Sequence, residues 1–258
     1  MQNNMNNLYY QEIEEKYLHD TELINKLNNN DFKQLIINPV KGEGYCLGLY
    51  LPITDKNIKN DNNFKNELLL NLNMLANNLK NMSNNTCYIY LPGNIDCRDR
   101  PKLHTTILTL ADFDNYQTIL PLYYSYINDY HYAIKKSIKD ADITNFDIVL
   151  KGLILTDTAI IIKGYPSFDI NLLRDKLRDN FDKNSLKYKE RYKNKIAHLT
   201  VFRFGKDKLT ETQYNTLKKY VSVNSNTYFG KYSAKTIQLV SSGWTCSKNT
   251  SVFHKEFY

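Results

Sequence analysis

Apolar residues recur along the chain in short blocks, and each block has its own period. Residues 63–80 set Phe64, Leu68, Leu72, Leu75 and Leu79 three or four apart, which predicts a helix with one buried face. Residues 168–181 do the same with Leu172, Leu173, Leu177 and Phe181 on one side. Residues 116–138 predict another helix, with Pro121 suited to a first turn. Residues 210–221 predict one more, with Thr210 as its cap. Between these lie short runs of aliphatic, aromatic and Thr residues: 45–52 (ended by Pro52), 87–92, 103–110, 146–155, 158–165, 196–204, 234–241 and 251–258. They predict strands. A tight turn at 156–157 joins two of them, and 93–101 is a polar loop. Residues 1–38 are polar, with helical stretches at 9–18 and 21–27. Hairpin-like links favour an α+β fold with antiparallel sheet over a doubly wound parallel one.

Composition narrows the classes. A chain of 258 residues with 42% hydrophobic and 24% charged residues is globular rather than disordered. Its 33 Asn, with abundant Tyr, Lys and Ile, share A/T-rich codons, so genome bias accounts for them and the Asn runs mark loops. The net charge of +7 and pI near 9.0 suit a polyanionic partner such as a nucleotide or RNA without demanding one. Residues 1–94 hold 8 basic and 10 acidic groups, so the whole basic excess lies downstream. Cys46, Cys87, Cys97 and Cys246 form no C-x-x-C pair, which argues against a zinc finger and a disulfide scaffold. The N-terminus lacks a basic-then-apolar leader and no apolar run is long enough to span a bilayer. The expectation is a cytoplasmic monomer without a membrane partner.

The five histidines are His19, His104, His131, His198 and His254. Two share a phrase: His104-Thr105-Thr106-Ile107 and His198-Leu199-Thr200-Val201, each His, any residue, Thr, aliphatic, inside an apolar strand. Side chains alternate along a strand, so each His and the Thr two residues on share a face. Imidazole exchanges protons near neutral pH, and a Thr hydroxyl donates to a phosphate oxygen. Two such pairs facing each other would flank one phosphate with an acid, a base and two donors. By chance a His meets this pattern about 4% of the time, so two hits among five arise roughly once or twice in a hundred. The competing reading is a pair of ordinary buried strand histidines.

The order of elements from residue 44 onward resembles the 2H phosphoesterase superfamily, named for two His-x-Thr/Ser motifs. It includes bacterial RNA 2′,3′-cyclic phosphodiesterases (the 2′-5′ RNA ligase-like proteins) and viral enzymes that destroy signalling nucleotides. GYCLGLYLP is similar to its opening strand, LHTTILTLAD to its first motif strand, GLILTDTAIIIKG to its central hairpin and IAHLTVFRF to its second motif strand. The motifs stand 94 residues apart (104 to 198), and residues 1–43 have no counterpart. The resemblance implies one two-lobed domain over 44–258. It would have two antiparallel sheets, outer helices and a pseudo-twofold axis through a central cleft, with 1–43 as a polar, partly helical extension. It implies a phosphodiesterase with no metal and no cofactor, acting on 2′-5′ oligonucleotides, cyclic nucleotides or 2′,3′-cyclic phosphate RNA ends. His104 and His198 would be catalytic, with Thr106 and Thr200 binding phosphate. Which His is acid, and whether water or a 2′-hydroxyl attacks, stays open. The alternative is a catalytically silent RNA- or nucleotide-binding module of the same fold. A metal phosphatase is opposed by the lack of H-x-x-x-H, H-E-x-x-H or an Asp cluster.

Other residues extend the picture. Residues 183–195 carry six basic groups with Tyr188 and Tyr192 among them, so Tyr188, Arg191, Tyr192 and Lys193 are candidate substrate contacts. Arg98 and Arg100, ahead of the first motif, are candidates of the same kind. Arg203 is an odd number of residues from His198 and should face away from the cleft unless a bulge turns it. His131 and His254 lack a Thr partner and read as ordinary surface or packing residues; Trp244 reads as packing. A neutral and a charged imidazole working together predict a rate profile that is bell-shaped across about pH 5–8.

Overall fold

The computed structural model describes residues 8, 10–12, 45–53, 65–83, 88–89, 103–156, 159–190, 193–203, 210–243 and 250–257. Within them lie strands β1 (Tyr45–Pro52), β2 (Tyr88–Ile89), β3 (His104–Ala111), β4 (Phe146–Leu155), β5 (Ala159–Pro166), β6 (Ala197–Arg203), β7 (Tyr228–Ala234), β8 (Thr236–Gly243) and β9 (Thr250–Glu256). The helices are α1 (Lys65–Ser83), α2 (Tyr116–Ser125), α3 (Ile127–Asp140), α4 (Ile170–Lys183) and α5 (Glu211–Val223). The predicted helix 21–27, loop 93–101 and Trp244 lie outside the described residues, as does all but a fragment of the helix at 9–18.

The strands form one antiparallel sheet in the order β7-β4-β5-β6-β3-β1-β8-β9, with β2 pairing β6. The expected two sheets are two halves of this one, because the motif strands β3 and β6 meet edge to edge through Thr105 and Leu199. Helix α2 packs on β1 and β3, α4 on β3 and α3, α5 on β4, and α1 on β7 and α5. The main core lies between helices and sheet. Leu47, Leu49 and Leu51 of β1 enter it with Leu173, Leu177 and Phe181 of α4.

Local chemistry explains most element ends. Thr210 caps α5, accepting from the Gln213 N–H while the Gln213 side chain accepts from the Thr210 N–H. Asp169 caps α4 by accepting from the Asn171 N–H. The expected helix 116–138 is two helices, since Tyr126 leaves helical angles at φ −121°, ψ 32°. Pro121 lies inside α2 rather than in its first turn. Leu172 is exposed, and Arg174 occupies the buried side of α4 instead. Strand β7 is not among the strands expected from the sequence. Its Gly230 stands at φ +131°, where a Cβ would come within 2.9 Å of Leu68 Cβ, so helix α1 seats directly on the strand there.

Candidate active site

Thr105 and Leu199 are buried on the helix face of the sheet, so their neighbours His104, Thr106, His198 and Thr200 emerge, partly buried, on the other. One antiparallel step either side of the Thr105–Leu199 pair sets His104 across from Thr200 and Thr106 across from His198. Opposed Cβ atoms in such a ladder are about 5 Å apart and diagonal ones about 7–8 Å, so the histidines hold the diagonal of a four-residue square. The structure thus brings the two motifs together on one face.

Each motif carries a bulge at the same place. On β3, Tyr50 pairs Thr106 and Leu49 pairs Leu108, leaving Ile107 as the extra residue. On β6, Ile161 pairs Thr200 and Ile160 pairs Phe202, leaving Val201 as the extra residue. A bulge reverses the alternation beyond it. Thr109 and Arg203, five residues after each His, therefore rejoin the histidine face. Arg203 lies across from Ala159, two residues before the Ile161 that faces Thr200. Its expected orientation away from the cleft is corrected by this bulge, and its charge acts on His198.

The two histidines have different surroundings. The His104 ring lies 4.1 Å from the Tyr50 ring, centroid to centroid, inclined at 37°. Tyr50 is itself buried and lies over Gly48, where a Cβ would fall within 2.7 Å of the tyrosine hydroxyl. His198 is pushed down to about 3, first by desolvation and then by the positive charge of Arg174, His104 and Arg203. Its Nδ1 is buried with no hydrogen-bond partner, so an imidazolium there would carry an unanswered N–H. Burial and the neighbouring positive charges thus favour the neutral form of the His198 imidazole.

Arg174 builds the site from behind. It is fully buried, and its Nε donates to the Ile107 carbonyl at 2.9 Å. Its Nη2 donates to the Thr106 carbonyl at 2.8 Å and the Ile196 carbonyl at 2.9 Å, and its Nη1 to Asn171 Oδ1 at 3.0 Å. One guanidinium therefore ties the β3 bulge to the entry of β6. Burial first, and then the charge of Arg178, lowers Arg174 to about 10 against the opposing charge of Glu190, so it stays a cation at neutral pH. Nothing in the helical spacing of residues 168–181 marked it for this role.

The remaining candidates are scattered. The Tyr188 ring packs against Phe181 at 5.5 Å, and the Lys189 N–H donates to the Leu110 carbonyl at 2.8 Å. Tyr188 thus packs on α4, while the Lys189 backbone joins β3. Lys193 is exposed and pairs with Asp175 of α4 at 3.5 Å. Arg98, Arg100, Arg191 and Tyr192 lie outside the described residues. His131 meets Tyr123 Oη at 2.8 Å and the Phe253 ring at 4.6 Å, a packing role as expected. His254 is different: it faces Gln238 on the histidine side of the sheet. Among the described residues, no three His, Cys, Asp or Glu side chains gather as a bound metal would need, and no helix is long and apolar enough to cross a membrane.

No family model matches the chain, and no curated protein resembles it in sequence. Solved structures do resemble it in shape. The crystal structure of TT0787 of Thermus thermophilus superposes with a TM-score of 0.50 at 14% identity, over 82% of this chain and 97% of that one. E. coli LigT complexed with 3′-AMP gives 0.41 at 12% identity, over 83% and 99%. The MHV ns2 PDE domain gives 0.38 at 14% identity, over 63% and 86%. The first of these likenesses shows a shared α+β fold over most of both chains.

Proposed function

We propose that the chain is a nucleotide phosphodiesterase that works without a metal, with His198 as general base and His104 as general acid. One observation carries this reading: the two motif strands are antiparallel neighbours that pair through Thr105 and Leu199, a register that sets each His across from the other motif's Thr. A phosphate seated on the square has an imidazole on each of two sides and a hydroxyl beside each imidazole. His198 takes the proton of the attacking water or ribose 2′-hydroxyl. The new P–O bond forms as the bond to the leaving oxygen breaks, and His104 delivers a proton to that oxygen. Thr106 and Thr200 donate to the non-bridging oxygens, and the Arg203 guanidinium adds positive charge as negative charge gathers there. The phosphate's own charge also favours the imidazolium that forms on His198, offsetting the desolvation that held it neutral.

The substrate class we propose is 2′-5′ oligonucleotides, cyclic oligonucleotides or 2′,3′-cyclic phosphate ends. The test presents 2′-5′ oligoadenylate, 2′,3′-cyclic phosphate RNA and cyclic dinucleotides to the purified chain and identifies products by mass. Cleavage that disappears in both His104→Ala and His198→Ala is the expected result. Tight nucleotide binding with no turnover of any of the three would replace this reading by a silent binding module.

A further inference from the structure

The sheet register lines up six side chains in one row across the histidine face. Lys163 of β5 lies across from His198, and Thr106 across from Tyr50 of β1. Tyr50 lies across from Gln238 of β8, and Gln238 across from His254 of β9. The row has one closed end. Tyr10, from the N-terminal extension, is buried against Ile154, Ala159, Ile161 and Ile196, with its ring 5.5 Å from that of Tyr165. Its hydroxyl accepts from the Gly164 N–H at 2.8 Å and donates to the Ala197 carbonyl. That side of the square is occupied, and Lys163 is buried beside it. A ligand on the square therefore extends the other way, over β1 and β8.

Along that way the protein leaves polar groups unanswered. Among the described residues three buried side-chain polar atoms have no hydrogen-bond partner: His198 Nδ1, Gln238 Oε1 and Ser242 Oγ. All three side chains belong to the histidine face, since Ser242 lies across from Cys46 and Gln238 from Tyr50, in step with Gly48 between them. Gln238 Nε2 is engaged with His254 Nδ1 at 3.1 Å, which leaves the carbonyl oxygen as its open end. A buried amide oxygen without a donor carries a desolvation cost that a ligand N–H would recover. A phosphate cannot fill this role, because it offers only acceptors near neutral pH. Gln238 stands two strand spacings from β3, about 10 Å, which is past the ribose joined to a phosphate on the square and at the edge of its base.

We propose that Gln238, oriented by His254, reads the base of the nucleotide whose phosphate sits on the His104–His198 square, and that it selects a base carrying an exocyclic amino group over one carrying an oxo group. The proposal rests on the phosphodiesterase reading for the place of the phosphate. An adenine amino group satisfies Oε1; a hypoxanthine oxygen at the same position sets two acceptors against each other.

The experiment is calorimetric titration of AMP, IMP, 2′-deoxy-AMP and ribose 5-phosphate into the full chain and its Gln238→Leu and Gln238→Glu variants, none of these ligands being a diester. AMP is expected to bind about 5–10-fold tighter than IMP, the worth of one hydrogen bond. Gln238→Leu should erase that ratio without changing ribose 5-phosphate binding, which also reports that the variant is folded. Gln238→Glu keeps the acceptor and should keep the preference. Equal AMP and IMP affinities, or a preference that survives Gln238→Leu, overturn the proposal. So does discrimination against 2′-deoxy-AMP alone, which would assign the donor to the sugar. If wild-type chain cleaves diesters while AMP and IMP bind alike, only the base-reading proposal falls; if nothing is bound and nothing cleaved, the phosphodiesterase reading falls with it.

Discussion

Replacing Arg174 by Met removes the clamp between the motif strands while keeping much of the side chain's volume. The wild-type guanidinium answers the Thr106, Ile107 and Ile196 carbonyls and Asn171 Oδ1, all at 2.8–3.0 Å. Each buried carbonyl left without a donor costs about 1–3 kcal/mol. Three of them set an upper range that relaxation and the relief of burying a cation reduce to about 3–5 kcal/mol, the usual cost of breaking a buried charged network. At this chain length 1 kcal/mol moves the melting point by about 2–4 °C, so Arg174→Met should melt about 6–20 °C below wild type. The same change removes a positive charge that lowers His198. The acidic limb of kcat/KM should therefore move to higher pH. Arg174→Lys keeps the charge with fewer hydrogen bonds, so it should lose stability while leaving that limb closer to wild type. Circular-dichroism melts and pH–rate profiles of the three proteins make the comparison. A Met variant that melts with wild type and keeps its acidic limb would refute both the clamp and its electrostatic reach.

His104→Ala and His198→Ala should each lower kcat by about 10²–10⁴-fold, with the double variant little worse because acid and base serve one transition state. Thr106→Ala and Thr200→Ala should cost about 1.5–3 kcal/mol of transition-state stabilisation each, and His131→Ala almost nothing, as steady-state kinetics will show. The pH profile of kcat/KM should differ from a bell spread over pH 5–8. With free His198 near 3 its acidic limb lies well below that window. A rate halving near pH 6 on the acidic side would contradict the placement of His198 as the base. Turnover should survive EDTA, since the two imidazoles carry both proton transfers; loss on chelation with recovery on adding a divalent ion would count against the mechanism.

The motif square was legible because it depends on alternation within one strand, a property of adjacent residues. His104 with Thr106 and His198 with Thr200 share a face for that reason alone. The orientation of Arg203 was not legible, since alternation fails across a bulge and Val201 looks like any strand residue in the sequence. Gln238 and Tyr50 could not be found either. Their alignment with Thr106 arises from the pairing of β1 with β3 and β8, strands far apart in the chain. Arg174 carried no signal of its role either, since the carbonyls of the β3 bulge that it answers come from a strand far from it in the chain. For the tyrosine-rich basic loop, composition records which groups are present and not what each packs against. Tyr188 joins the helix layer through Phe181.

Two half-sites with the same backbone acquire different chemistry from what surrounds them. Both motifs run His, Thr at +2, bulge at +3 and a returning side chain at +5, yet the +5 residue is Thr109 in one and Arg203 in the other. The flanking strand brings the aromatic Tyr50 to His104 but the aliphatic Ile161 to the opposite corner, where Tyr10 adds its ring to the cover. Near His198 the charges of Arg174 and Arg203 add to desolvation, and every one of these effects opposes a proton. Near His104 the Tyr50 ring face offers a site where a cation is favoured, since the ring's quadrupole attracts positive charge. A pseudo-symmetric pair of imidazoles can divide acid from base only if something breaks the symmetry. Here the break lies at the +5 positions and in the flanking strands, while the motifs themselves stay alike. Exchanging Arg203 for Thr would bring the second half-site closer to the first and move His198 upward, which a shift of the acidic limb of kcat/KM to higher pH would show.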